Sequence, residues 1–185
     1  VYHEYKRGVP AGYAKFETFP IWNLPVSHPI NLAYEAATAD LQDLNIIDRF
    51  HLEAYGVSAV NYNRDIDAFP IVKAILDRIS GQKDFYRSPT DMGVNMVGYA
   101  ITDDEVVRQA ACQEIIRRYY KALCDHKQGR GTLAAVEKIQ LIMSQADITE
   151  EIRPCIAAAN KRAEETDGPA VAIDLGDTIV TGRTS

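Results

Sequence analysis

The stretch that most constrains the fold lies between Thr102 and Gly129. Val106, Ala110, Ile115, Ile116, Tyr119 and Leu123 recur there at helical spacing, and Thr102 with Glu105 forms a capping box ahead of them. The middle of the chain is therefore committed to a long helix. A second helix is expected from Leu133, with Val136, Ile139, Leu141, Ile142 and Met143 as its apolar positions and Thr132 as its cap. A last one spans Ile156 to Glu165 and stops at Gly168-Pro169. Upstream, Phe69, Val72, Ile75, Leu76 and Ile79 predict a helix over Asp67 to Ile79, ended by Gly81. Pro29 suits a first helical turn capped by Ser27 or His28 and continued through Asn31 to Leu41. Between Asp43 and Asn63, Leu44, Ile46, Ile47, Phe50 and Leu52 are core candidates, and Val57 to Tyr62 reads as a short strand.

The period changes at both ends. Pro10, Pro20, Pro25 and Pro29 punctuate the first thirty residues, where Tyr13 to Phe19 alternates partly and reads as a strand or extended crossover. After residue 170, β-branched runs flank Gly176-Asp177, a hairpin signal. Such a hairpin is marginal alone and calls for more sheet or a covering helix. The expected fold is a mostly α-helical subdomain followed by an α/β unit with a terminal β-hairpin. Its expected divisions are 1–30, a crossover from an absent domain; 31–147, the helical subdomain; and 148–185, the start of a C-terminal α/β subdomain. Val1 and Ser185 both look like cut ends, so a segment of a longer protein is expected.

Several function classes drop out. Acidic residues outnumber basic ones, 26 against 20, which argues against a sequence-independent grip on nucleic acid. No apolar run reaches the ~20 residues that span a bilayer. Three cysteines without framework spacing fit free thiols in a cytoplasmic protein. The phosphate-loop, dinucleotide and zinc motifs are all absent. Cys155 follows Pro154, but residue 158 is alanine, so the paired-cysteine zinc motif of nucleobase deaminases fails.

Two polar blocks carry the candidate chemistry. Asn61, Asn63 and Arg64 lie in a polar run that follows a β-branched stretch, where strand-end loops often hold ligands. Ser88, Thr90, Asp91 and Asn95 sit with two glycines in an eleven-residue stretch, where backbone donors can approach an anion; a helix start at Ser88-Pro89-Thr90 is the structural alternative. His28 is either a cap or a proton-transfer group. Asp48, His51 and Glu53 are close in sequence, but no second cluster completes a metal site, and no metal is expected. Arg117, Arg118 and Lys121 pair with Glu114 and neighbours as a solvated face.

Gly12 to Pro25, Asn31 to Leu41, Phe50 to Gly56, Val60 to Asp65, Ser88 to Met96 and Glu114 to Cys124 together resemble the bacterial family called domain of unknown function 1846, or uncharacterised protein family 0371. The resemblance implies a longer protein with a Rossmann-like N-terminal domain that carries a phosphate-binding turn. It also implies a C-terminal part of cytidine-deaminase-like topology that lacks the zinc triad. It implies no particular reaction, since a fold does not settle chemistry.

The resulting expectation is part of an enzyme that binds a nucleotide or phosphorylated metabolite and performs transfer or hydrolysis. This segment would be the cleft wall opposite the phosphate-binding domain. Asn61, Asn63 and Asn95 would hydrogen-bond substrate, with Ser88 and Thr90 beside them; Lys15 and Arg64 would neutralise charge; His28 and Asp91 would transfer protons. The expected cofactor is not zinc; a nucleotide held mainly by the absent domain is the one this reading allows. The expected partners are a small phosphorylated molecule and further copies of the chain, with no nucleic acid and no membrane. The alternative is a non-catalytic homo-oligomerisation or regulatory module.

Overall fold

In the computed structural model, residues 2–11 and 19–183 are described. Lys15 and most of the alternating stretch Tyr13 to Phe19 therefore lie outside the described residues. The rest, from the short α1 (Tyr2–Lys6) onward, is mostly helical, with two small antiparallel ribbons.

The core forms where the sequence period is strongest. Helix α2 (Pro29–Ala37) and the long α6 (Asp104–Lys127) pack with α7 (Leu133–Gln145). Leu32, Ala33 and Ala36 of the first meet Ala111, Ile115, Ile116 and Tyr119 of the second and Val136, Ile139, Ile142 and Met143 of the third. Alanines along α2 let α6 lie close, because a short side chain shortens the interaxial distance. The caps are local. His28 Nδ1 accepts from Ile30 N and Thr132 Oγ1 from Ala135 N. On α6 the cap is Asp103, not Thr102: its carboxylate accepts from Glu105 N and Val106 N, a stronger acceptor one residue later.

Strands β1 (Asn45–Ile47) and β2 (Val60–Tyr62) pair antiparallel around the short α3 (Arg49–Tyr55). The expected core positions Leu44, Ile46, Ile47 and Leu52 are exposed. The ribbon has only two strands, and the one buried residue of β1, Asn45, is polar: its N–H donates to Glu35 and its Nδ2 to the carbonyl of Asn31.

Helix α4 (Asn63–Ser80) begins as β2 ends, four residues before the expected start. It buries Ile66 and Phe69. Ile75 and Ile79, which belong to the apolar pattern that predicts this helix, face solvent.

Helix α8 (Pro154–Thr166) carries the terminal hairpin, β3 (Ala170–Asp174) and β4 (Ile179–Arg183), on one of its faces. Leu175 N donates to Thr178 O at 2.9 Å, closing a two-residue turn over Gly176-Asp177, with Gly176 at φ 89° as that turn demands.

Candidate functional site

A cleft of about 280 Å³ opens between the β2–α4 junction and helix α5 (Pro89–Met92). Asn61, Asp65, Phe69 and Val72 form one side, with Pro89, Met92 and Gly93 opposite and Phe19 between them. Both polar blocks read from the sequence thus reach one concavity, through Asn61 on one side and the chain around Pro89 on the other.

The walls are held by buried polar side chains. Asp48, fully buried, caps α3 by accepting from Phe50 N and His51 N through Oδ1. Its Oδ2 accepts from Thr90 N at 3.1 Å and Thr90 Oγ1 at 2.6 Å, which ties α5 to α3. Ser88 Oγ caps α5 by accepting from Asp91 N. Asn95 Nδ2 donates to Phe19 O at 2.6 Å while its Oδ1 accepts from Val97 N, and this places Phe19 at the cleft. The helix start at Ser88-Pro89-Thr90 is therefore what forms, and Ser88, Thr90 and Asn95 serve as cap, tie and pin.

On the far side of α5 lies a second cluster. His51 Nδ1 is 2.9 Å from Ser88 Oγ and 3.8 Å from Asp91 Oδ1. Asp91 Oδ2 accepts from Tyr55 OH and Arg87 N, and the Arg87 guanidinium stands over the Tyr55 ring. The hydrogen bond to Asp91, with burial second, raises the Tyr55 pKa. Ser88, fully buried with its oxygen in these bonds, is not presented as a nucleophile.

The remaining candidates go elsewhere. His28 is buried with both ring nitrogens engaged, Nδ1 with Ile30 N and Nε2 with Asp104 Oδ1 at 2.9 Å. Arg108 first, and His28 second, hold the Asp104 carboxyl below its usual range. Asn63 Oδ1 accepts from Leu44 N, and Arg64 pairs with buried Asp43 at 3.3 Å. Asn61 Oδ1 accepts from Tyr62 N beside the cleft. Asp48, which lies close in sequence to His51 and Glu53, spends both oxygens on protein donors. Among the described residues no group of three His, Cys, Asp or Glu side chains is placed to hold a metal.

Among the described residues, the cleft lining is aromatic and aliphatic with one amide and one carboxylate, and holds no Lys, Arg or His. That chemistry suits an uncharged ring or hydrocarbon with hydrogen-bond donors at its edge. It does not suit a phosphate, which needs cations or convergent N–H groups.

Residues 1–147 match the family described as "Domain of unknown function DUF1846, N-terminal". The chain belongs to this family. Among its relatives, a "UPF0371 protein" of Corynebacterium aurimucosum is 60% identical over 186 residues, covering 100% of this chain. Another, of Corynebacterium urealyticum, is 56% identical, and one of Streptococcus thermophilus is 58% identical, each again across the whole chain. The DUF1846 chain spans 37% of the length of these relatives. Among the described residues no helix is long and apolar enough to cross a membrane.

Proposed function

We propose that this DUF1846 segment forms one wall of a small-molecule site in a larger cytoplasmic enzyme of nucleotide or phosphometabolite transfer or hydrolysis. The cleft between β2–α4 and α5 takes the uncharged, ring-bearing part of the ligand, and the remainder of the polypeptide takes the phosphate. One observation carries this reading: the two polar blocks, distant in sequence, meet at a concavity whose described lining suits a ring better than an anion. Asn61 and Asp65 read the polar edge; Phe19 and Phe69 supply apolar surface. His28, Asn63, Arg64, Ser88, Thr90 and Asn95 support the walls, so proton transfer falls to residues outside this segment or to the His51–Asp91 cluster. In the same reading, α8 and the hairpin begin a deaminase-like layer without zinc chemistry. The alternative, an assembly module, draws its support from the outer face of α4.

The test is thermal shift on full-length protein with a nucleoside panel, matched nucleotides and inorganic phosphate. A nucleoside at about 100 times its Kd adds roughly 2.7 kcal/mol and raises Tm by several degrees. Asn61→Ala and the cleft-filling Val72→Phe should abolish the nucleoside shift and leave the phosphate shift intact. Nucleoside shifts unchanged by both substitutions would remove the cleft from the site.

A further inference from the structure

A hollow of about 340 Å³ lies where the chain after α2 meets α6 and the turn into α7. It shares no described residue with the cleft. Alanines make the space: Ala36, Ala39, Ala122 and Ala135 line it, and a longer side chain at any of them would fill part of it. The rest of the lining is charged. Arg118, Lys121 and Arg130 are there with Asp125 among them, and Asp40 comes from the turn that follows α2. The basic spot read from the sequence on α6 therefore borders a concavity. Its donors outnumber its acceptors. Arg117, outside the lining, bonds Glu114 through both Nε and Nη2 at 2.6 Å, and Arg118 reaches the same carboxylate through Nε alone at 2.7 Å. Asp125 likewise serves two cations, Lys121 at 2.5 Å and Arg130 at 3.3 Å, the latter through one Nη. Two carboxylates thus carry four cations. A guanidinium has five N–H groups to give. Both Nη groups of Arg118, and Nε and Nη1 of Arg130, bond no protein acceptor among the described residues.

We propose that this hollow binds a phosphorylated sugar or polyol, at a site separate from the cleft and independent of its reading. The phosphate lies among Arg118, Lys121 and Arg130 and accepts from the N–H groups that Glu114 and Asp125 leave unused. Guanidinium forks suit phosphate oxygens, which they can bond in pairs. Asp125 bonds Lys121 and Arg130 at the cost of one N–H each, and the four cations more than offset its charge and that of Glu114. In a chain of net charge −6, such a local excess at a concave place favours an anion. Asp40 sets the rest of the ligand. It forms no ion pair with the three lining cations, so its oxygens can accept from hydroxyl groups. The space agrees: 340 Å³ falls at the lower end of the ~300–1,000 Å³ of small-molecule pockets, more than phosphate alone needs. Because α2, α6 and α7 also build the core, a ligand seated here bridges all three.

The test is calorimetric titration of full-length protein with glucose 6-phosphate, ribose 5-phosphate, glycerol 3-phosphate, inorganic phosphate and the unphosphorylated sugars. At least one phosphate ester is expected to bind more tightly than inorganic phosphate, with an affinity that falls as salt is added, and the free sugars should not bind. Arg118→Gln with Arg130→Gln should weaken that ester roughly 30-fold or more, since each removes charge-assisted hydrogen bonds. Arg117→Gln removes the same charge outside the lining and should cost no more than about threefold, as for an exposed charge at a distance. Asp40→Asn should weaken the ester several-fold and leave inorganic phosphate unchanged. The cleft variants Asn61→Ala and Val72→Phe should leave ester binding intact, so this site and the cleft stand or fall separately. All of these positions but Asn61 are on or near the surface, and an unchanged Tm shows that a variant still folds. No binding by any ester, or binding that survives loss of Arg118 and Arg130, would overturn the proposal. An equal loss from Arg117→Gln would reduce it to diffuse attraction and overturn it too. Inorganic phosphate bound as tightly as every ester would overturn the ligand class.

Discussion

Tyr62 shows how much a single buried atom matters here. The residue is 1% exposed, and its hydroxyl, with the Thr38 side chain as its polar neighbour, makes no hydrogen bond of normal geometry to a described residue. Burial is the main cause that pushes its pKa from 10.0 up to about 12. Between those values the unfolded phenol has lost a proton that the folded one keeps, so unfolding releases a proton and stability falls as pH climbs through the window. Below pH 10 the group is neutral in both states and contributes no slope. Tyr62→Phe removes the orphaned hydroxyl, whose desolvation costs about 1–3 kcal/mol when unpaired. The variant should therefore melt at or above wild type at pH 7, with a shallower loss of Tm between pH 10 and 12. A drop of several degrees at pH 7 would mean that the hydroxyl is bonded, with Thr38 as the partner at hand. The buried amides behave differently. Asn31 satisfies Ile21 N and Ile21 O with the two ends of its amide, and Asn95 satisfies Val97 N and Phe19 O, which is why both sit fully buried at no evident cost.

At the level of elements, the turn Met96–Ala100 shows the same close fit in backbone form. A Cβ on Gly98 would lie 2.6 Å from Asn23 Oδ1 and 2.7 Å from Ile21 Cγ2, and Ile21 is fully buried. Asn23 can swing away, but Ile21 has no room to move. Gly98→Ala should cost about 1–3 kcal/mol, read as a lower urea midpoint with an unchanged slope; a midpoint equal to wild type would show that this turn relaxes freely. Elements were legible in the sequence where their cause is local. The caps His28, Thr132 and Ser88 each sit within three residues of the N–H they satisfy, and the Gly-Asp turn needs nothing beyond itself. What was not legible is long-range. Asp48 reaches Thr90 across 42 positions and Asn95 reaches Phe19 across 76, so their polar atoms looked available for a ligand when they are spent on the fold. The cleft was half visible. Asn61 and the chain around Pro89 stood out, but Phe69 and Met92 look like any other apolar residue until the chain folds. For α4 the helical period is legible and the inner side is not, because Ile66 and Phe69 are buried while Ile71, Ile75 and Ile79 are exposed, and the spacing alone does not choose between them.

Across the whole molecule, the apolar surface left open is too ordered to be incidental. In the hairpin, β3 is paired with β4 so that Val171, Ile173 and Val180 share one face, and these are 63%, 60% and 53% exposed, with Leu175 continuing it at 63%. The opposite face packs on α8. Strands with β-branched residues on both faces belong to sheets covered on both sides, and a two-stranded ribbon gains little stability alone. Scattered exposed leucines or isoleucines would need no explanation, but a contiguous row does. Residues 1–185 expressed alone should therefore bind a hydrophobic-surface dye such as anilinonaphthalene sulfonate while keeping native far-ultraviolet circular dichroism. The full-length protein should bind much less. Because the hairpin and the exposed isoleucines of α4 are separate surfaces, the cause can be assigned. Ile173→Lys with Val180→Lys should remove most of the dye signal from the segment, and Ile75→Glu should remove a smaller share. Equal dye binding by segment and full-length protein would show that the hairpin face stays open to solvent in the complete polypeptide, and a covering layer for it would have to be abandoned.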